Sequence, residues 1–214
     1  MKKLGLLVPC LLVAASYASS AKADPRTHDG FFLRLGANLG AGFTTESYEF
    51  NGQEAAPDLS ISGFMYGFDL MLGGSPVPGL VVGGWLITNF GPNPSLEQAG
   101  VEAEADGTLI VGGIGAFVNY YFDPTSGFNL QGLVGYGAMD FVRPNGASGG
   151  NDPTGPMFGL GAGYDFWISD EWSIGPFARV LFGSYTAEAS SPVGNSSATE
   201  THLFPSIGAA FTLH

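Results

Sequence analysis

Cysteine occurs once, at Cys10, and lysine only at Lys2, Lys3 and Lys22, so from residue 24 onward the chain has neither. Without thiols that part can form no disulfide framework and no thiolate metal site. Charged residues make up 12% of the sequence, about half the usual share. The cations beyond residue 23 are Arg26, Arg34, Arg143 and Arg179, set against all 19 acids. So acidic a chain is a poor partner for nucleic acid. It would also be repelled by an anionic bilayer if it only lay on the surface. Long apolar runs are missing too. After Val13 nothing approaches the roughly 20 residues of a transmembrane helix.

The opening residues differ from the rest. Lys2 and Lys3 precede an apolar run from Leu4 to Val13, and Ala21-Lys22-Ala23 offers a small-x-small cleavage pattern. This is the layout of a secretory signal peptide. Residues 1–23 are therefore expected to be removed, leaving one domain over 24–214. A lipoprotein anchor at Cys10 fits less well, because Pro9 precedes it and the apolar run continues through Leu11, Leu12 and Val13.

What the chain has in excess is glycine, 34 of 214 residues. The glycines neither follow a collagen period nor gather with serine in linkers. They sit inside apolar segments that alternate with a period of two, the mark of strands. From Phe31 to Phe43 one face reads Phe31, Leu33, Leu35, Ala37, Leu39, Ala41, Phe43, and the other Phe32, Arg34, Gly36, Asn38, Gly40, Gly42. Gly63 to Gly73 and Met157 to Ile168 alternate as cleanly. Leu109 to Phe122, Phe128 to Val142, Trp172 to Tyr185 and Leu203 to Leu213 fit with more interruption, and Leu80 to Phe90 is apolar on both faces. Glycine weakens a strand, so a face that takes it at every second position points into a cramped interior.

The connections sort by length. Gly73 to Gly79, Asp123 to Gly127 and Ser169 to Glu171 are short; Thr44 to Ser62, Gly91 to Gly107, Arg143 to Pro156 and Thr186 to Thr201 read as long polar loops. Short turns on one rim and long loops on the other define an all-β, eight-stranded antiparallel up-and-down transmembrane β-barrel with both ends in the periplasm. Closure follows from the solvent, since lipid cannot satisfy an open sheet edge. Outward aromatics near the short-turn rim are Phe31, Tyr120, Phe122, Phe128, Phe166 and Trp172; those near the long-loop rim are Phe43, Phe64, Phe90, Phe158 and Phe182. Two such girdles are expected at the membrane interfaces. Twelve steps from Phe31 to Phe43 span roughly 40 Å along a strand, or roughly 30 Å of height at barrel tilt, close to the hydrocarbon core.

Arg34, Asp69, Asp165 and Arg179 all fall on inward faces and predict a salt-bridge and hydrogen-bond network that fills the lumen. An eight-stranded barrel leaves room only for side chains, and buried charges need partners, so this network reads as structural before it reads as a gate. The histidines His28, His202 and His214 form no oriented set with a serine and an acid; His202 with Ser206 is the nearest approach. They are assigned to interfaces or loops, and no catalytic residue is expected. Gly159-Leu160-Gly161-Ala162-Gly163 lacks the spacing and helix of a dinucleotide fingerprint. The grouped acids Glu46, Glu49, Glu54, Asp58 and Glu97, Glu102, Glu104, Asp106 lack EF-hand spacing and read as solvated charge. No metal or cofactor is predicted.

The last strand carries Ser206-Ile207-Gly208-Ala209-Ala210-Phe211-Thr212-Leu213, and with the eight alternating segments it resembles the small OmpA-type outer-membrane barrels without a periplasmic domain. Ser206, Gly208, Phe211 and Leu213 match that family's assembly signal, though His214 follows where an aromatic is usual. The resemblance implies outer-membrane lipids and the barrel-assembly machinery as partners, a monomeric barrel, and a structural or adhesion-like role towards an unknown extracellular partner through the loops. A narrow channel or a carrier for small or apolar molecules is the alternative, and a lipid-modifying enzyme a more distant one.

Overall fold

The structure, a computed structural model, describes residues 25–146, 153–191 and 194–214. The expected leader, residues 1–23, and its cleavage pattern lie outside the described residues. Among the described residues eleven strands form one antiparallel sheet: β1 (Gly30–Phe50), β2 (Gln53–Val77), β3 (Leu80–Pro92), β4 (Ser95–Gln98), β5 (Val101–Glu104), β6 (Thr108–Tyr121), β7 (Phe128–Val142), β8 (Thr154–Tyr164), β9 (Phe166–Trp167), β10 (Trp172–Ser191) and β11 (Gly194–Leu213). Each long strand pairs with its sequence neighbour, and β1 pairs with both β2 and β11. The sheet is therefore a ring of eight staves, β1, β2, β3, β6, β7, β8, β10 and β11, with no open edge at its waist.

The faces sort as the alternation requires. Leu35, Phe68 and Leu160 are 51%, 58% and 75% exposed, while Gly36 and Gly67 are buried. Apolar side chains point away from the barrel, the arrangement stable only where the surroundings are apolar. Glycine opposite glycine lets bulky residues cross the interior. A Cβ on Gly135 would run into Trp85, whose indole Nε1 donates to the Ala116 carbonyl at 2.9 Å.

Three features depart from the sequence reading. The lumen holds far more than glycine and a few ions: Trp85, Phe117, Leu133, Leu181 and Phe204 are buried there, with Met65, Met71, Met139 and Met157. The segment from Met157 to Ile168 is not one strand. It breaks at Asp165, whose N–H donates to the Gly127 carbonyl at 3.0 Å rather than to the ladder.

The third departure is that three of the four expected long loops, 44–62, 91–107 and 186–201, are mostly strand, while Arg143 to Pro156 lies partly outside the described residues. β1 and β2 run on to a two-residue turn at Asn51-Gly52, with φ of 50° and 75°. Two positive φ values make a type I′ turn, the one whose twist suits a hairpin, and asparagine and glycine tolerate it best. Ala99-Gly100 turns the β4–β5 hairpin with φ of 51° and 78°. β10 and β11 likewise stay paired up to Ser191 and Gly194. Above the rim, β10, β11, β1, β2, β4 and β5 thus continue as one raised sheet.

Candidate functional site

Three places carry chemistry: the lumen, the raised sheet and the short-turn mouth. In the lumen Arg34, Asp69, Asp165 and Arg179 are all buried. Nearness along the chain does not choose their partners. Arg179 reaches across to Asp69, Nη2 to Oδ2 at 2.9 Å, with Nη1 3.5 Å from Gln131 Oε1. Asp165 Oδ2 accepts from the Tyr121 hydroxyl at 2.7 Å and from Asn129 at 3.4 Å. Arg34 and Arg179 share the ring of Phe177, each guanidinium carbon 5.1 Å from its centroid. Two arginines against two aspartates leave this layer neutral, and in so dry a place charges persist only when balanced.

The lumen mixes polar and apolar side chains at both ends. Towards the short turns the charged set above and Asn119, Asn129 and Gln131 lie with Phe32, Val81 and Phe117. Towards the long hairpins Met65, Ile87, Leu109, Val111, Met139 and Met157 are buried together with the polar Asn89, Thr44 and His202. All four methionines of the described residues point inward.

The girdle aromatics face outward. Phe31, Tyr120, Phe122, Phe128 and Phe166 are 37–59% exposed near the short turns, and Trp172, half-buried, stacks on Phe211 at 4.5 Å. Phe43, Phe64, Phe158 and Phe182 are 42–55% exposed at the other rim, with Phe90 half-buried against Tyr66 at 5.6 Å. Tyr66, Tyr136 and Tyr164 face outward beside them, and the Tyr136 hydroxyl lies 3.1 Å from Thr154 Oγ1. In the assembly-signal strand, Ser206 faces inward and donates to the Arg179 carbonyl at 3.3 Å. Gly208 faces inward, and Phe211 and Leu213 face outward, on the strand that closes the ring against β1.

The histidines lie in places the sequence reading did not foresee. His28, His202 and His214 are 0%, 1% and 6% exposed, so all three are buried, two of them in the segments that flank β1 and β11. His202 Nδ1 bonds Thr44 Oγ1 at 2.8 Å, not Ser206. Nothing in local spacing could have joined His28 to His214, which meet only because the barrel closes.

The raised sheet carries Glu46, Glu49, Glu54, Asp58, Glu97, Glu102, Glu104, Asp106, Glu188 and Glu200, and its segments 44–62, 91–107 and 186–201 contain no lysine or arginine. The tips of its two long hairpins are tied together: Asn51 N–H donates to the Asn195 carbonyl at 2.8 Å, and Asn195 N–H to Asn51 Oδ1 at 3.0 Å. Glu46 and Glu200 stand directly opposite each other on β1 and β11. Burial, and then the Glu46 charge, push the Glu200 carboxyl up to about 7. A carboxyl raised in the folded state keeps a proton that the unfolded chain releases. This end of the sheet should therefore be firmest below pH 4.5 and loosen as pH rises through 7. Amide hydrogen exchange over residues 186–201, corrected for intrinsic rates, should show greater protection at pH 5 than at pH 8. Glu200→Gln should remove the difference.

A closed ring of eight staves, apolar outside, belted by two rings of aromatics and filled within, is an outer-membrane β-barrel. The chain belongs to the family of the autotransporter beta-domain, whose sequence model matches residues 39–212. Among solved structures it is similar to the outer membrane protein OprG from Pseudomonas aeruginosa, at 12% identity and a TM-score of 0.54, covering 89% of this chain and 100% of that one. It is also similar to outer membrane protein AlkL in lipid bilayers, at 15% identity and a TM-score of 0.50, covering 90% and 94%. Likeness at such identities speaks for the fold alone. No curated protein sequence matches the chain significantly.

Proposed function

We propose that the protein is exported through its leader, inserted by the barrel-assembly machinery as a monomer, and serves as a sealed, non-enzymatic platform. On this reading it holds the raised acidic sheet at the cell surface for contact with a partner. The observation that carries this reading is the sheet itself. Phe50 lies seven residues beyond the girdle residue Phe43, roughly 23 Å of paired strand at about 3.3 Å per residue. A floppy loop needs no such pairing; a surface that presents a fixed array of carboxylates does. Ten acids without a cation favour a partner rich in lysine and arginine, held by charge complementarity that weakens with salt.

The test replaces residues 47–58 and 188–199 by short turns, leaving the barrel below intact. Whole cells displaying the shortened protein should lose binding to a basic protein surface while the purified barrel keeps its heat-modifiable gel mobility. Equal binding with and without the hairpins would overturn the reading.

A second reading, a carrier for small apolar molecules, is favoured by the four methionines buried in the lumen, Met65, Met71, Met139 and Met157. Methionine is unbranched and adaptable and suits a lining that must repack around a guest. Uptake of a hydrophobic dye by liposomes containing the barrel, lost when Met65 and Met157 are replaced by phenylalanine, would support it. No uptake above empty liposomes would remove it.

A further inference from the structure

The short-turn mouth is closed by residues from opposite ends of the fold. His28 precedes β1 and His214 follows β11, yet their Nδ1 atoms are 3.0 Å apart. The His28 ring stacks on Tyr121 at 3.5 Å between centroids and on Trp167 at 4.8 Å. His28 Nε2 is 3.0 Å from the Ser126 carbonyl, and His214 Nε2 is 2.8 Å from Ser173 Oγ.

With both rings neutral, one proton arrangement satisfies all three contacts. A carbonyl only accepts, so His28 Nε2 carries hydrogen and its Nδ1 is a lone pair. His214 Nδ1 must then donate to it, which leaves His214 Nε2 to accept from the Ser173 hydroxyl. The chain of donors runs Ser173 to His214, His214 to His28, and His28 to Ser126. A first added proton can be shared across the Nδ1 contact, but it places a charge in a site from which water is excluded. A second puts N–H against N–H and breaks the link.

We propose that His28 and His214 form a proton-operated latch that keeps this mouth shut near neutral pH and releases it in acid. The charges around the pair give the release a direction. Arg34 on β1 faces His214 from the lumen side and repels a charged ring. Asp29 on the same segment and Asp123 from the β6–β7 turn attract a charged His28. Tyr121 on β6 is neutral and bonded to Asp165, and Ser173 on β10 is neutral. In the β9–β10 turn, Asp170 lies 3.7 Å from Arg26, and Glu171 is exposed. A protonated His28 is thus drawn outward while His214 is pushed away from the lumen. Burial lowers His28 to about 4 and His214 to about 2. For histidines lowered in the closed state, closure is fully favoured above their ordinary value of 6.5 and declines as pH falls from there towards 4.

The inference rests on the geometry of the mouth and not on the surface role proposed above. It is tested on the whole barrel in detergent, in a Trp172→Phe background where Trp85 is buried and Trp167 reports on the mouth. Quenching of indole fluorescence by acrylamide should be flat from pH 8 to 6.5 and rise several-fold towards pH 4. The imidazole resonances of His28 and His214 should titrate as a coupled pair over the same range. His28→Phe, which keeps the stacking, should abolish the acid response. Flat quenching down to pH 4, or an undiminished response in His28→Phe, would each overturn the latch.

Discussion

Replacing Asp69 by leucine should destabilise the barrel by about 3–5 kcal/mol, the cost of leaving one member of a buried ion pair without the other. Arg179 would keep only a 3.5 Å contact with Gln131 Oε1 and the face of Phe177, which it shares with the like-charged Arg34. Neither replaces a carboxylate at 2.9 Å. The guanidinium cannot escape by losing its proton, since arginine holds it under all ordinary conditions. Nor can it snorkel to water, because its side chain is 1% exposed at mid-lumen. The double variant Asp69→Leu with Arg179→Met removes both charges. It should recover most of the loss, because balanced removal of a buried pair is often near neutral. Urea unfolding of the barrel in lipid vesicles, followed by band-shift electrophoresis, measures both. If the single and double variants fell equally, the pair would be mere filling and the neutral-layer account would fail.

The barrel was legible in the sequence because its two solvents differ so sharply. Lipid outside and packed protein inside impose period two on every stave, and Phe31 to Phe43 or Gly63 to Gly73 show it without interruption. Phe117, Leu133 and Leu181 were harder to assign. They are as apolar as the lipid face, and only their parity relative to Gly115, Gly135 and Gly183 marks them as inward. The raised sheet had a signal that composition concealed. Asn51-Gly52 is the strongest short hairpin mark a sequence can carry, but it sits in a polar stretch where hydrophobic alternation fades. The partners inside the lumen were beyond local reading altogether. Arg179 chooses Asp69, 110 residues away, and His28 meets His214 across 186. Such choices depend on which staves face each other across the lumen once the ring closes.

The two ends of the molecule answer acid in opposite senses, for one physical reason. Burial disfavours charge at both. At the raised sheet it holds a proton on Glu200, so alkali loosens that end; at the mouth it strips protons from His28 and His214, so acid loosens that one. The waist between them carries its charges in compensated pairs and should not respond over the same range.

The membrane assignment has its own decisive substitution, at the outward residue Leu160. It is the most exposed large apolar side chain in the ring, at 75%. It lies between Phe158 and Phe166, in β8 where that stave pairs with Val180 of β10 and Gly132 of β7. Leu160→Arg should cost about 1–3 kcal/mol of stability in lipid vesicles, between the penalties at the bilayer midplane and near the interface, since Leu160 stands two residues below the girdle residue Phe158. The comparison that isolates lipid is Val101→Arg in β5, at 69% exposure but on the raised sheet. There the same side chain meets water and neighbouring acids, and the change should stay within about 0.5 kcal/mol. A barrel standing in water would make the two substitutions alike, because outward arginines are harmless on a wet surface. A difference of this size between residues of similar exposure has one source: the medium against which each stands.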